Sequence, residues 1–164
     1  MIVNEKEALE HGAVTQFCHF YADEGLGQIE FCSLLSPPKS DALCKKDGKD
    51  LFIEVGHFYG TESDAKKRLG RTGESAPTEE EQHESRMMSF EQRVLPRLNN
   101  LLKSKSAKIY EGNPVWLLVR NLHPALDKSD FRRDLDNIVV PENHSFEEIW
   151  LLCCPYTGGL IKLY

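Results

Sequence analysis

Hydrophobic positions recur along the chain with two different periods, which separate predicted helices from predicted strands. From Glu5 to Tyr21 an apolar residue returns every three or four positions, as one buried face of a helix requires. Ile29–Leu35 is instead a short apolar run of strand length. Pro37 and Pro38 follow it and end the predicted strand, because proline cannot donate to a β-ladder.

A β-hairpin is the next predicted element. The short runs Asp41–Cys44 and Leu51–Phe58 flank a polar loop that contains Asp47 and Gly48. Asp-Gly is a preferred pair at the centre of a two-residue hairpin turn. A turn centred there places Asp41 directly opposite Glu54 on the neighbouring strand.

The remaining pattern predicts a mixed α/β fold. A polar connection over residues 60–78, with a short basic helix starting near Ser63, leads into a long helix over Glu79–Lys105 that Pro96 should kink or split. The last predicted elements are a strand over Val115–Arg120, a helix over Lys128–Asn137, and a closing hairpin of Phe146–Cys154 and Gly159–Leu163. This order predicts one domain over residues 1–164, with a single mixed β-sheet flanked by helices.

Length and composition are typical of one globular domain. The chain has 164 residues, of which 40% are hydrophobic and 28% charged, so disordered and fibrous classes are excluded. The apolar runs are too short to cross a bilayer, and the first residues lack the pattern of a secretory signal. We therefore expect a cytoplasmic protein with no membrane partner. Its five cysteines show no ligand spacing, which argues against zinc and against a disulfide framework.

Charge is unevenly distributed along the chain. The formal net charge is −6, yet residues 64–73 carry four basic groups against one acidic group, and residues 86–108 carry six against one. Basic groups of this kind suit the phosphate backbone of a nucleic acid. They suit equally well a solvated surface paired with the five glutamates of Glu74–Glu84.

The predicted pairing of Asp41 with Glu54 is the main chemical signal. Like charges placed opposite each other destabilise a sheet, so a cation is expected between them, and carboxylate oxygens suit Mg²⁺ or Mn²⁺. Alternatively, Asp41 caps the Pro-Pro turn while Glu54 faces solvent or pairs with Lys45 or Lys66. Against that alternative, Glu54 lies in a run that is apolar on both faces, where a carboxylate needs a partner.

These residues resemble the PD-(D/E)XK nuclease-like superfamily. The shared features are an Asp shortly after Pro, a Lys-Asp-Gly hairpin turn and the Ile-Glu-Val of the next strand. The resemblance implies a restriction endonuclease-like αβββαβ core and hydrolysis of DNA phosphodiester bonds assisted by Mg²⁺ or Mn²⁺. It implies that Asp41 and Glu54 are catalytic residues and metal ligands, often with a third acid from the first helix. Glu10 is the candidate third acid, with a solvated helix face as its alternative role.

The sequence departs from the family pattern at the expected lysine, which is Gly56. His57 points to the other face of the strand and cannot replace it, so we expect it to be packed or hydrogen bonded. The missing ammonium could come from Lys66, Lys67 or Lys105, of which Lys66 is assigned as the catalytic lysine.

Two functions remain open at this point. The first is a metal-dependent endonuclease. The second is a catalytically degenerate member that acts as a nucleic-acid-binding or assembly subunit, and Gly56 at the expected lysine position would indicate the loss of catalysis. A chain this small could also form a homodimer. The candidate DNA-binding residues are Lys66, Lys67, Arg68, Arg71, Lys105 and Lys108.

Overall fold

The computed structural model describes residues 4–59, 94–154 and 156–164. Within this part the helices are α1 (Glu5–Asp23), α2 (Leu95–Ser106) and α3 (Lys128–Arg133), followed by a 3₁₀ turn over Leu135–Asn137. The strands are β1 (Ile29–Leu34), β2 (Ala42–Lys46), β3 (Lys49–Phe58), β4 (Val115–Asn121), β5 (Glu148–Cys154) and β6 (Gly158–Lys162). The predicted order of elements is confirmed for this part of the chain.

All six strands form one mixed sheet in the order β1-β2-β3-β4-β5-β6. The central strands β3, β4 and β5 run parallel, and the outer pairs run antiparallel. Parallel strands covered on both faces are expected to be continuously apolar, and five consecutive residues of β4, from Val115 to Val119, are buried. The fold is therefore α/β, with a single mixed sheet between helices.

The two faces of the sheet carry separate hydrophobic clusters. Trp116 and Leu118 of β4 belong to the cluster that contains Phe17 of α1. Leu117 and Val119, which point the other way, belong to the cluster that contains Leu98 of α2. Alternation along one strand thus separates the helix α1 face from the helix α2 face.

The hairpin turn has the predicted geometry. Asp47 and Gly48 both have positive φ, at 53° and 76°, as a two-residue turn between twisted strands requires. The resulting register pairs Ala42 with Ile53, so Asp41, the residue just before β2, falls opposite Glu54 as predicted.

Some boundaries differ from those predicted. The described part of the long predicted helix is α2, and Pro96 lies in its first turn, where a missing N–H is tolerated. The predicted helix over Lys128–Asn137 ends as an α-helix at Arg133 and continues only as the 3₁₀ turn. The basic helix expected near Ser63 lies outside the described residues.

Two further findings concern the cysteines and the possibility of a membrane-spanning helix. All five cysteines are free thiols, and Cys44 and Cys153 are buried. None of the described helices has the length and apolar character needed to span a membrane.

Gly112 is a position where the fold requires glycine. Its φ is +124°, and an added Cβ would lie 2.5 Å from the ring of Phe52. We expect Gly112→Ala to lower the free energy of unfolding by about 3 kcal/mol, because backbone strain adds to overpacking. Gly25→Ala is the matched control, since Gly25 also has positive φ, +73°, but open space around it. Gly25→Ala should lower the free energy of unfolding by only about 1 kcal/mol. Equal losses in urea denaturation would contradict the steric explanation.

Candidate active site

A cleft of about 630 Å³ lies where α1, the start of β2, the middle of β3 and the end of α2 meet. Two of its walls come from opposite faces of the sheet, since α1 and α2 cover different sides. The acidic and basic residues that line it are Lys6, Glu10, Lys39, Asp41, Glu54, Lys105 and Lys108. Four lysines therefore surround three carboxylates in a protein whose net charge is −6.

Asp41 is held at the point where β2 begins. Its backbone carbonyl accepts a hydrogen bond from the Leu35 N–H at 2.8 Å, which closes the loop that contains Pro37 and Pro38. Its carboxylate oxygen Oδ2 accepts a hydrogen bond from the Val55 N–H, also at 2.8 Å. The side chain is thus directed across the hairpin toward β3, and the predicted alternative, in which it caps the Pro-Pro turn, is not what the structure has.

Glu54 lies in β3 and is only 5% exposed. Lys105 Nζ, at the end of α2, donates to Glu54 Oε1 at 2.7 Å. Glu54 therefore does not face solvent, and Lys45 pairs with Asp50 instead. Burial raises the pKa of Glu54, Lys105 opposes that rise, and the nearby charge of Asp41 adds to it.

Helix α2 supplies what the sequence lacks at Gly56. A Cβ added to Gly56 would meet the side-chain carbons of Leu101 at 3.4 Å, so Leu101 occupies the space of the missing side chain. Lys105 follows Leu101 by four residues and therefore lies on the same face of the helix, one turn further on. This spacing explains how one helix both fills the position beside Gly56 and brings an ammonium group to Glu54.

The structure thus places Lys105, one of the three lysines considered, beside Glu54. Lys66, which was assigned as the catalytic lysine, lies outside the described residues, as do Lys67, Arg68 and Arg71. Of the six candidate DNA-binding residues, Lys105 and Lys108 line the cleft.

Glu10 reaches the cleft from α1 and is 5% exposed, so the alternative of a solvated helix face is wrong. Lys6 lies one turn earlier on α1, and its Nζ is 3.2 Å from Glu10 Oε1. Burial raises the pKa of Glu10 to about 7, with a further contribution from the charge of Asp41 and partial compensation by Lys6. The electrostatic repulsion expected from the sequence between Asp41 and Glu54 thus also involves a third carboxylate, that of Glu10.

Tyr110 is a cleft residue that the sequence analysis did not identify. Its ring stacks on Phe146 with 5.7 Å between centroids, and its hydroxyl donates to the carbonyl of Lys105 at 3.4 Å. Burial raises the pKa of Tyr110, and the charges of Glu54 and Asp41 raise it further, so the phenol remains a donor. No helical or strand period includes Tyr110, and only its position just beyond the helix that carries Lys105 could have drawn attention to it.

His57 lines the same cleft from the helix α1 face of the sheet. The expected packing is present, but among the described residues neither ring nitrogen has a hydrogen-bond partner. Burial lowers the pKa of His57 to about 4, and the charge of Arg120 on the adjacent strand adds to this effect. The imidazole is therefore neutral at pH 7.

The donor set of the cleft consists of oxygens, which suits a hard divalent cation. Across the described part of the chain, no three His, Cys, Asp or Glu side chains are already arranged around a common point as metal ligands would be. The carboxylates instead bind Lys6, the Val55 amide and Lys105. Burial and, after it, the charge of Asp41 raise the pKa of Glu10, and a bound cation would oppose both effects by stabilising the carboxylate form.

Comparison of the chain with protein-family models, with curated proteins and with solved structures finds no match. The class of site is therefore defined by its own geometry: three carboxylates and four lysines in one cleft of an α/β fold.

The Glu54–Lys105 pair generates a stability prediction. The two side chains are only 7% and 19% exposed, so Lys105→Met leaves a buried carboxylate without its partner. We expect the free energy of unfolding at pH 8 to fall by about 3 kcal/mol. The loss should be smaller at acidic pH, because burial raises the pKa of Glu54 and a protonated carboxyl does not need a cation. Lys103→Met, on the exposed side of the same helix, is the control and should change stability by no more than about 0.5 kcal/mol. Equal effects of the two substitutions in urea denaturation would contradict a buried ion pair.

Glu10 generates a pH prediction of defined sign. Its pKa is raised from 4.5 to about 7 on folding, so the folded state binds the proton more tightly and loses stability as pH rises through that interval. Glu10→Gln should therefore increase the free energy of unfolding at pH 8 by about 2 kcal/mol, with no gain near pH 4. Thermal unfolding followed from pH 4 to pH 8.5 measures the difference. Glu30→Gln, on an exposed residue of β1, should show no such pH dependence, and a pH-independent effect of Glu10→Gln would contradict the assignment.

Proposed function

We propose that this protein is a metal-dependent phosphodiester hydrolase of the endonuclease type that acts on DNA. The observation that carries the proposal is the convergence of Glu10, Asp41, Glu54 and Lys105 in one cleft, from three different elements and the residue just before β2. The three acids are those that the resemblance to the PD-(D/E)XK superfamily implies. In this proposal Lys105 of α2 takes the role of the family's lysine, for which Lys66 was the assigned candidate.

The order of elements supports the same proposal. Within the described residues from α1 to β4, the elements are a helix, three strands, a helix and a strand, which is the order of an αβββαβ restriction endonuclease-like core. We therefore propose an atypical member of that superfamily, in which Gly56 and Leu101 occupy the usual place of the lysine and Lys105 supplies its charge.

The charge of the cleft favours a polyanionic substrate. Lys6, Lys39, Lys105 and Lys108 present four ammonium groups around the carboxylates. Lysine neutralisation of phosphates provides most of the sequence-independent affinity for DNA. Lys6 and Lys105 pair with Glu10 and Glu54, so Lys39 and Lys108 are the cleft lysines best placed to bind a phosphodiester in a protein whose net charge is −6.

The chain's own residues have separable roles in this proposal. Asp41 and Glu54, with Glu10 as the third acid, would hold Mg²⁺ or Mn²⁺. When bound, such a cation supplies Lewis-acid stabilisation of the negative charge that develops on the phosphate oxygens. The Val55 N–H fixes the orientation of Asp41, and Tyr110 fixes the end of α2 through the Lys105 carbonyl. The Lys105 ammonium orients Glu54 and adds positive charge beside the reacting phosphate.

Plasmid cleavage tests the proposal. Supercoiled DNA is incubated with the protein in Mg²⁺ or Mn²⁺, and the rate of nicking is compared for the native chain, Asp41→Asn, Glu54→Gln and Lys105→Met. We expect each substitution to reduce the rate by about 100-fold or more, since even partners that only orient metal ligands are worth about 10- to 100-fold. Glu30→Gln, a matched loss of one exposed carboxylate, should cleave like the native chain.

Two outcomes would overturn the proposal. Equal cleavage by all variants would point to a contaminant or to another site. Metal-independent DNA binding with no cleavage by the native chain would favour the alternative of a catalytically degenerate binding or assembly subunit.

A further inference from the structure

A short turn over residues 107–111, here called the rim turn, joins α2 to the segment before β4 and forms one edge of the cleft. It carries Ile109, which is 90% exposed and is the most exposed large hydrophobic residue in the part of the chain that the structure describes. A singly exposed aliphatic side chain is common on protein surfaces. Whether the exposure of Ile109 indicates a binding contact depends on how rigidly the turn is held and on which groups lie near it.

The rim turn is fixed on both sides of Ile109. On the helix side, the Lys108 N–H donates to the Lys105 carbonyl at 3.4 Å. On the other side, the Tyr110 ring stacks on Phe146, and the Glu111 N–H donates to the Pro38 carbonyl at 3.3 Å. Ile109 is therefore held outward by an anchored backbone and is not exposed because of a frayed end.

Three lysines line the same cleft as Ile109, and the rim turn also carries one exposed carboxylate, that of Glu111. Lys105 and Lys108 belong to the same edge of the cleft, and Lys39 lies across from it, where its backbone forms a parallel bridge with Glu111. A ligand that fits this arrangement presents negative groups to the lysines and an apolar surface to Ile109. DNA has both, in its phosphates and its stacked bases.

We propose that Ile109 is a wedge that enters the base stack of a DNA duplex beside the phosphodiester held in the cleft, while Lys108 contacts a neighbouring phosphate. This inference rests on the proposed function and names its substrate as duplex DNA that can be locally unstacked. Proteins that insert an apolar side chain between base steps spend unstacking energy to gain contact with a bent duplex. Flexible pyrimidine–purine steps and mismatches are therefore the preferred sites. An anionic membrane surface is disfavoured, because the carboxylates and Lys105 lie inside a concave cleft that a flat bilayer cannot enter.

Fluorescence of 2-aminopurine tests the wedge without requiring cleavage. Duplexes of 20 base pairs carry 2-aminopurine at successive positions around a TA step, and the protein is added in the Asp41→Asn background so that the DNA stays intact. We expect bound protein to increase the fluorescence at one step. Ile109→Ser should abolish the increase and weaken binding by about tenfold. Ile109→Leu should retain both. Val139→Ser, which removes another exposed aliphatic side chain, is the matched control and should have no effect.

The outcomes separate this inference from the proposed function. An unchanged fluorescence increase or unchanged affinity with Ile109→Ser would overturn the wedge, whether or not the native chain cleaves plasmid. If the fluorescence increase depends on Ile109 but the native chain does not cleave plasmid, the wedge would be supported and the hydrolase refuted. Loss of binding to phosphatidylserine vesicles in Ile109→Ser, without any unstacking of DNA, would overturn the wedge in favour of a membrane contact.

Discussion

The ion pair between Glu54 and Lys105 connects the centre of the sheet to the helix that covers it, and the geometry of the cleft depends on it. Glu54 is buried in β3, so its charge must be compensated by a group that comes from outside the strand. Leu101 of α2 packs over Gly56, where a longer side chain on β3 would compete for the same space, and the next turn of α2 carries Lys105. The 2.7 Å contact with Lys105 is then a consequence of helical spacing.

The same constraint explains why so many charges share one cleft. Asp41 is directed at β3 by the Val55 amide, which brings its carboxylate close to Glu54. Glu10 comes from the opposite face of the sheet and meets the same negative field, which helps to keep its proton bound near neutral pH. Lys6 and Lys105 each compensate one of these acids. A site of this kind is costly for the folded protein, and such costs are typical of places where function competes with stability.

Several parts of the fold could be predicted because they depend on neighbours in the chain. Asp47-Gly48 has few turns available to it, and that turn determines the register that places Asp41 opposite Glu54. The helix α1 and the apolar strands follow from their periods. The end of the α-helix at Arg133 was missed, because helix boundaries depend on weak local terms. Tyr110 was missed because Phe146, on which its ring stacks, and Glu54, whose charge raises its pKa, are both distant in sequence.

The sequence by itself therefore determined the order of elements, the hairpin register and the two acids that face each other across it. Only the tertiary structure decided that Glu10 is buried beside them and that Lys105 reaches Glu54. The physical reason is that periodicity and turn chemistry act over a few residues. The pairing of a buried charge instead depends on which helix packs over the strand and at what height, and that packing is the sum of many distant contacts.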